Sequence, residues 1–167
     1  MALIIREAQE EDRPAILKIV EAAFAQADEA AIVEKLWEAD AISLDLVAEA
    51  DGELVGHCAF SPVTADPALK GGLLGMAPVS VAPAHQNRGV GSAMIETGID
   101  YCRTRGASLL VVLGEPSYYS RFGFEPASRK NMRWDAMDAG DAFQLIDFAA
   151  LTATPQRTIR YHDAFYG

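Results

Sequence analysis

Val79-Ser80-Val81-Ala82-Pro83-Ala84-His85-Gln86-Asn87-Arg88-Gly89-Val90-Gly91-Ser92 is the stretch that decides the fold of this 167-residue chain. Its opening residues read as a strand, Pro83 ends that strand, and a Gly-rich turn then opens an amphipathic helix. Strand, turn and helix in that order indicate an α/β protein. Outward from the turn, the pattern predicts a strand over residues 73–81. A helix over 91–105 follows, burying Met94, Ile95, Gly98, Ile99 and Cys102 and closing at Gly106. Residues 108–113 are continuously apolar, as in a strand covered on both faces. A short helical segment over 116–121, a strand near Phe124 and a final strand over 143–148 come next.

On the N-terminal side, residues 3–6 read as a first strand. Asp12 is placed to cap a helix that tolerates Pro14 in its first turn, buries Ile16, Val20 and Phe24, and ends near Ala27. A second helix begins at Asp28 or Glu29 and gathers Ile32, Val33, Leu36 and Trp37 on one side. Residues 44–50 alternate, and Asp51-Gly52 turns them into a second strand over 54–60, which makes a hairpin. The expected architecture is a mixed, twisted α/β sheet of about seven strands flanked by about four helices, with residues 1–167 forming one domain.

Half of the residues are apolar, enough for a core without disulfides or a structural metal. The 14 Lys and Arg against 24 Asp and Glu give a formal charge of −10, which argues against nucleic-acid and membrane-surface partners and mildly favours cationic ones. Cys58 and Cys102 lie far apart, and His57, His85 and His162 have no ligand spacing, so no metal is expected. The short apolar start at residues 2–5 meets Arg6, Glu7, Glu10, Glu11 and Asp12 at once, unlike a signal peptide. The apolar region 73–84 is broken by Pro78 and Pro83 and is shorter than the roughly 20 residues of a membrane span. A cytoplasmic protein is expected.

The turn has a chemistry of its own. The first N–H groups of a helix lack intrahelical acceptors, and the aligned peptide dipoles place about half a positive charge there, so a phosphate or diphosphate finds several donors together. Gly89 and Gly91 let a ligand approach the backbone, and Arg88 can add a charge-assisted contact. A plain glycine turn before a surface helix reads equally well from composition. A dinucleotide fingerprint fails, because Met94 stands at its third glycine position and the stretch about 20 residues on, 109–113, is apolar and holds no ribose-binding acid. A P-loop fails for want of a Gly-Lys-Ser/Thr ending.

The run Gln86-Asn87-Arg88-Gly89-Val90-Gly91 resembles the Gln/Arg-x-x-Gly-x-Gly/Ala signature of the GNAT superfamily of N-acetyltransferases. Downstream, Tyr118-Tyr119-Ser120-Arg121-Phe122-Gly123-Phe124 resembles that superfamily's Tyr-x-x-x-Gly-Phe element. The segments Gly114-Glu115-Pro116-Ser117-Tyr118-Tyr119 and Arg160-Tyr161-His162-Asp163-Ala164-Phe165 are similar to its YhbS-like branch.

The resemblance implies that acetyl-CoA is the co-substrate, its diphosphate held by Gln86, Asn87, Arg88, Gly89, Val90, Gly91 and Ser92. Its pantetheine arm would pair with the main chain of Val79 and Val81, with the N–H of Val79 polarising the thioester carbonyl. Pro78 has no N–H to offer. Tyr119 stands where the family places the acid that meets the leaving sulfur, and Tyr118 competes with it. A reference phenol, with a pKa of about 10 against about 8.5 for a thiol, transfers its proton uphill by about 2 kcal/mol, so a hydrogen bond to developing thiolate is the economical role.

An alkyl amine with a pKa of about 10.4 is neutral in only about one molecule per thousand near neutral pH, so the attack needs a base or a desolvating pocket. Glu115 is the first candidate base, although it can equally cap the short helix after it. His57, His85 and Glu29 come after it. His57 is expected to be a satisfied core residue and His85 a turn residue. The acceptor would border residues 24–29, where Asp28 and Glu29 either greet a cationic amine or cap a helix. Asp135, Met137, Asp138, Gly140 and Asp141 are read as a substrate rim or a solvated loop.

The expected reaction acetylates a primary amine of a small molecule or a protein. A non-catalytic acyl-CoA sensor and an acyltransferase for another acyl-CoA are the alternatives. A homodimer is compatible with the family.

Overall fold

The computed structural model describes residues 2–152 and 154–167. Seven strands follow the order β1 (Leu3–Glu7), β2 (Leu44–Ala50), β3 (Glu53–Pro62), β5 (Gly72–Val81), β6 (Ala107–Leu113), β9 (Phe143–Asp147), β7 (Glu125–Pro126). They are the seven that periodicity predicts, and their mixture of parallel and antiparallel pairs makes the expected mixed sheet. Among the described residues four α-helices accompany them: α1 (Arg13–Phe24), α2 (Asp28–Glu38), α3 (Val90–Thr104) and α4 (Pro116–Tyr119).

A second sheet was not expected. β4 (Thr64–Asp66), β10 (Arg157–Arg160) and β8 (Met132–Trp134) form three short strands in that order, so the strand ending at Asp147 is not the last. β10 runs antiparallel to β4 and parallel to β8.

The described residues group into two compact units, one holding residues up to Ser61 with Ala77–Asp100, the other Pro62–Met76 with Tyr101–Gly167. In the first, Asp51 and Gly52 both adopt the left-handed conformation that a two-residue hairpin turn requires, and β2 pairs with β3 from Ala50↔Glu53 to Leu44↔Phe60. Side chains alternate across the two faces of β3. Gly56 lies against Val90 and Met94 of α3, and the ring of Phe60 fills the notch left by Gly98. On the other face, Val47 of β2 packs into a buried cluster with Ile16 and Val20 of α1 and Ala30 and Val33 of α2.

α1 departs from its expected ends. Asp12 makes no side-chain cap to it; its carboxylate is held by Arg6 at 2.8 and 3.0 Å and by the N–H of Gln9 at 2.7 Å. A guanidinium in bidentate geometry outcompetes the helix N–H groups for that carboxylate. The helix stops at Phe24 because Ala25 turns left-handed at φ 54°.

In the second unit the parallel register of β5 and β6 covers Gly72↔Ala107 to Gly75↔Val111. The core gathers Leu73, Leu109, Val111, Phe143, Leu145, Ile159 and Tyr161.

Candidate functional site

The turn folds as its glycines require. His85 N–H donates to the carbonyl of Ala82 at 2.8 Å, closing a tight helical turn over Pro83–His85. The Gln86 side chain then bonds back to the Val81 carbonyl at 3.0 Å, fastening the turn to the end of β5. Asn87 (φ 62°) and Gly89 (φ 83°) are both left-handed, with exposed Arg88 between them. Alternating handedness of this kind turns successive N–H groups toward one side, a concavity suited to anions.

The first helical bond runs from Ala93 N–H to the Gly89 carbonyl at 3.0 Å, so the amides of Val90, Gly91 and Ser92 precede it and have no acceptor within the helix. A Cβ on Gly89 would meet nothing within 4 Å, so the space beside the turn is open. This donor set fits a diphosphate. Upstream, Val79 and Val81 are half-buried, and buried Ser80 between them points to the opposite side of the strand.

The second unit carries the tyrosines. Gly114 is fixed by its N–H to the Ala142 carbonyl (3.0 Å) and by the buried Gln144 side chain, which donates to the Gly114 carbonyl at 3.2 Å. Glu115 then immediately precedes α4, and its carbonyl receives the N–H groups of Tyr118 and Tyr119. Its side chain is exposed, makes no helix cap, and accepts from the Ser117 hydroxyl at 3.3 Å.

Tyr119 is held edge-on by Phe124 (centroids 5.7 Å apart) and by Tyr118 (5.0 Å). Tyr118 is in turn covered by the guanidinium of Arg121 at 4.6 Å. Gly123, at φ 99°, makes the reversal that returns the chain to buried Phe124.

Other candidates fall into place in less exposed roles. Asp135 accepts from Arg160 (2.9 Å) and from the Tyr166 hydroxyl (2.5 Å), which ties loops together. Asp138 caps the N–H of Gly140 at 2.9 Å. Asp138 and Gly140, with Trp134, Met137 and Asp141, border a cavity of about 300 Å³; Asp135 is not among its lining residues. Glu29 accepts from Gln26 at 3.0 Å, and Asp28 opens α2. His85 is half-buried beside the turn. Among the described residues no group of His, Cys, Asp and Glu could hold a metal ion.

His57 is buried, but only half of the expected satisfaction is present. Its Nε2 lies 2.5 Å from Asp45 Oδ1, and Asp45 Oδ2 accepts from Trp37 Nε1 at 2.9 Å. The other ring nitrogen has no partner. Sequence reasoning passed over Asp45 and Trp37, because alternation alone makes Asp45 a surface residue of a hairpin.

Residues 4–127 match the family model described as an acetyltransferase (GNAT) domain. The uncharacterized N-acetyltransferase YhbS of Escherichia coli (strain K12) is 34% identical over 160 residues, covering 92% of this chain and 93% of that protein. A crystal structure of YhbS from Escherichia coli in complex with CoA superposes with a TM-score of 0.90 at 31% identity, covering 99% of this chain and 92% of that one. A GNAT family acetyltransferase from Brucella melitensis in complex with acetyl-CoA gives 0.82 at 37% identity, covering 98% of each chain. A family model spanning the turn and the tyrosines, together with relatives matched over nearly their whole length, means that this chain belongs to the GNAT family of acetyltransferases.

Proposed function

We propose that the chain transfers the acetyl group of acetyl-CoA to a primary amine of a small molecule or a protein, by direct attack of the amine on the thioester. The observation that carries this reading is the turn: three consecutive helix-entry amides behind two left-handed residues, with open space beside Gly89. The similar chains from Escherichia coli and Brucella melitensis, in complex with CoA and acetyl-CoA, support it.

In this reading Gln86, Asn87, Arg88, Gly89, Val90, Gly91 and Ser92 hold the diphosphate. Beyond Gly75 the strand β5 runs on for six residues, to Val81. Val79 and Val81 supply main-chain groups to the pantetheine arm there, and the Val79 N–H polarises the carbonyl under attack. When bound, acetyl-CoA supplies the activated acyl group. Tyr119, clamped between Tyr118 and Phe124, donates to the sulfur as the thiolate departs. For the proton of the amine the sequence nominates Glu115, an exposed carboxylate.

We read residues 1–167 as one catalytic domain. It works in the cytoplasm, in keeping with a chain that has only two cysteines, both buried. No described helix is long and apolar enough to cross a membrane. A homodimer fits the reading, and light scattering tests it.

The central experiment pairs calorimetry with CoA and thiol release from acetyl-CoA over a panel of primary amines. Binding together with turnover supports the assignment. Binding without turnover on any amine leaves a CoA sensor, and turnover only with longer acyl-CoA thioesters assigns a different acyl donor.

A further inference from the structure

The second unit holds a cavity of about 300 Å³ that the reaction outlined above does not use. Met132 and Phe143, each 3% exposed, and half-buried Trp134 and Ala139 give it apolar walls. Met137 stands at its edge and is 61% exposed, more than any other large hydrophobic side chain among the described residues. An unbranched thioether at the lip of an apolar concavity can fold over a ligand of irregular shape. The volume falls at the small end of the range in which proteins bind small organic molecules, about 300–1,000 Å³.

The rim selects a charge. Asp138 and Asp141 line it, both exposed, and Asp138 Oδ1 is oriented by the Gly140 N–H at 2.9 Å. Arg133 is the one cation among the lining residues, but it lies between Met132 and Trp134 in β8, and alternation along a strand turns its side chain to the face opposite theirs. The mouth therefore presents two carboxylates on a chain of formal charge −10, a field that draws in cations and repels anions.

One wall of the cavity also seats Tyr119. Asp141 and Phe143 line it, and Ala142 between them accepts the Gly114 N–H at 3.0 Å, which extends the antiparallel pairing of Phe143 with Leu113 by one residue. Gln144 Nε2 closes the junction, donating to the carbonyls of Gly114 at 3.2 Å and Ala142 at 3.4 Å. Residues paired in this way have Cα atoms about 5.5 Å apart. Gly114 is the residue whose missing side chain leaves room for the Tyr119 ring. A spacer of about three carbons spans such a distance.

We propose that this cavity receives the far end of the acceptor, and that the acceptor is an arylalkyl primary amine whose ring is joined to the nitrogen by about three carbons. This rests on the transferase reading, in which Tyr119 marks the reacting centre that the amine must reach. The ring lies against Met132, Phe143 and Trp134, with Met137 folded over it. Asp138 and Asp141 draw the ammonium form to the mouth before it loses its proton and attacks.

The test titrates 3-phenylpropylamine into the intact protein carrying isotope-labelled methionine methyl groups, with 4-phenylbutyrate as the anionic match. The resonances of Met132 and Met137, assigned with Met132→Leu and Met137→Leu, are expected to shift saturably with the amine and not with the acid. That of Met94, packed beside Gly56 in the first unit, stays in place. With acetyl-CoA, kcat/KM for 3-phenylpropylamine is expected to exceed that for propylamine about tenfold or more, and Ala139→Leu, which fills the cavity, removes most of that preference. Asp141→Asn is expected to raise KM for 3-phenylpropylamine about threefold and to weaken its dependence on salt. The titration of wild type decides the matter even if Ala139→Leu does not fold.

Unmoved Met132 and Met137 resonances at millimolar amine overturn the proposal whether or not the protein acetylates other amines, and equal shifts with 4-phenylbutyrate do the same. Shifts caused by an amine that is neither acetylated nor competitive with an acetylated one make the cavity a separate site and also overturn it. If wild type binds CoA and acetylates neither amine nor ethanolamine nor a lysine peptide, the transferase reading fails and the acceptor assignment falls with it. Turnover of those other amines with no preference for the ring sinks the acceptor assignment alone.

Discussion

The ring of Tyr119 lies where a side chain on Gly114 would have to go: a Cβ at Gly114 would fall 2.3 Å from Tyr119 Cε2. Gly114 is itself pinned by Ala142 and Gln144, so it cannot retreat without breaking those bonds. Gly114→Ala therefore pushes the tyrosine. The expected result is a loss of about 1–3 kcal/mol in urea unfolding together with at least a tenfold fall in kcat. Tyr119→Phe keeps the ring and its aromatic contacts, so CoA affinity holds while kcat drops about 100-fold. Equal activity of Tyr119→Phe and wild type would remove the tyrosine from the reaction.

Gly89 separates the role of the turn from its contribution to folding. At φ 83° with open space beside it, an added side chain meets no atom, and the cost is the left-handed backbone, about 1–2 kcal/mol. In Gly89→Asp that cost is partly offset by a carboxylate at the start of α3, where an anion is favoured. The same carboxylate then competes with a diphosphate for the amides. The variant should fold, with circular dichroism like wild type, yet give no calorimetric heat with CoA at millimolar concentration. Undiminished binding would move the diphosphate elsewhere.

The Arg6 guanidinium holds the Asp12 carboxyl below its usual range, and the N–H of Gln9 acts in the same direction. A group whose folded pKa is depressed stabilises the fold above its unfolded value, here 3.8, and loses that contribution as pH falls through the lower folded value. The urea midpoint should therefore hold from neutral pH to about pH 5 and fall as pH drops below 3.8. Arg6→Met lowers the neutral-pH midpoint and flattens that decline. Parallel acid profiles for the two proteins would count against the pair.

Neither thiol should react in the folded protein. Burial pushes the Cys102 thiol up to about 11, and Cys58 is fully buried. Iodoacetamide at mildly alkaline pH should leave the native mass unchanged and add two labels after denaturation in urea. Rapid native labelling of either cysteine would contradict the packing.

Elements with a long hydrophobic period were legible in the sequence, and the rest depended on pairings between distant residues. Asp51-Gly52 dictated its hairpin locally. The three-stranded sheet did not announce itself, because its strands hold three or four residues each and join Thr64–Asp66 to Arg157–Arg160 across most of the chain. Asp12 looked like a cap until Arg6 claimed it. The Gly-rich turn was visible because its function resides in main-chain N–H groups, which glycine spacing reveals directly. His57 and Asp45 were not, since their meeting depends on the register that sets Asp45 against Ala59 and His57 against Val47.

Both oxygens of Asp45 are committed, one to an imidazole and one to an indole. A substitution there would at once unlatch Trp37 of α2 and strip His57 Nε2 of its hydrogen-bond partner, two losses that no single second-site change restores. Across a deep set of homologous sequences, positions 37, 45 and 57 should consequently be inherited or exchanged as a trio.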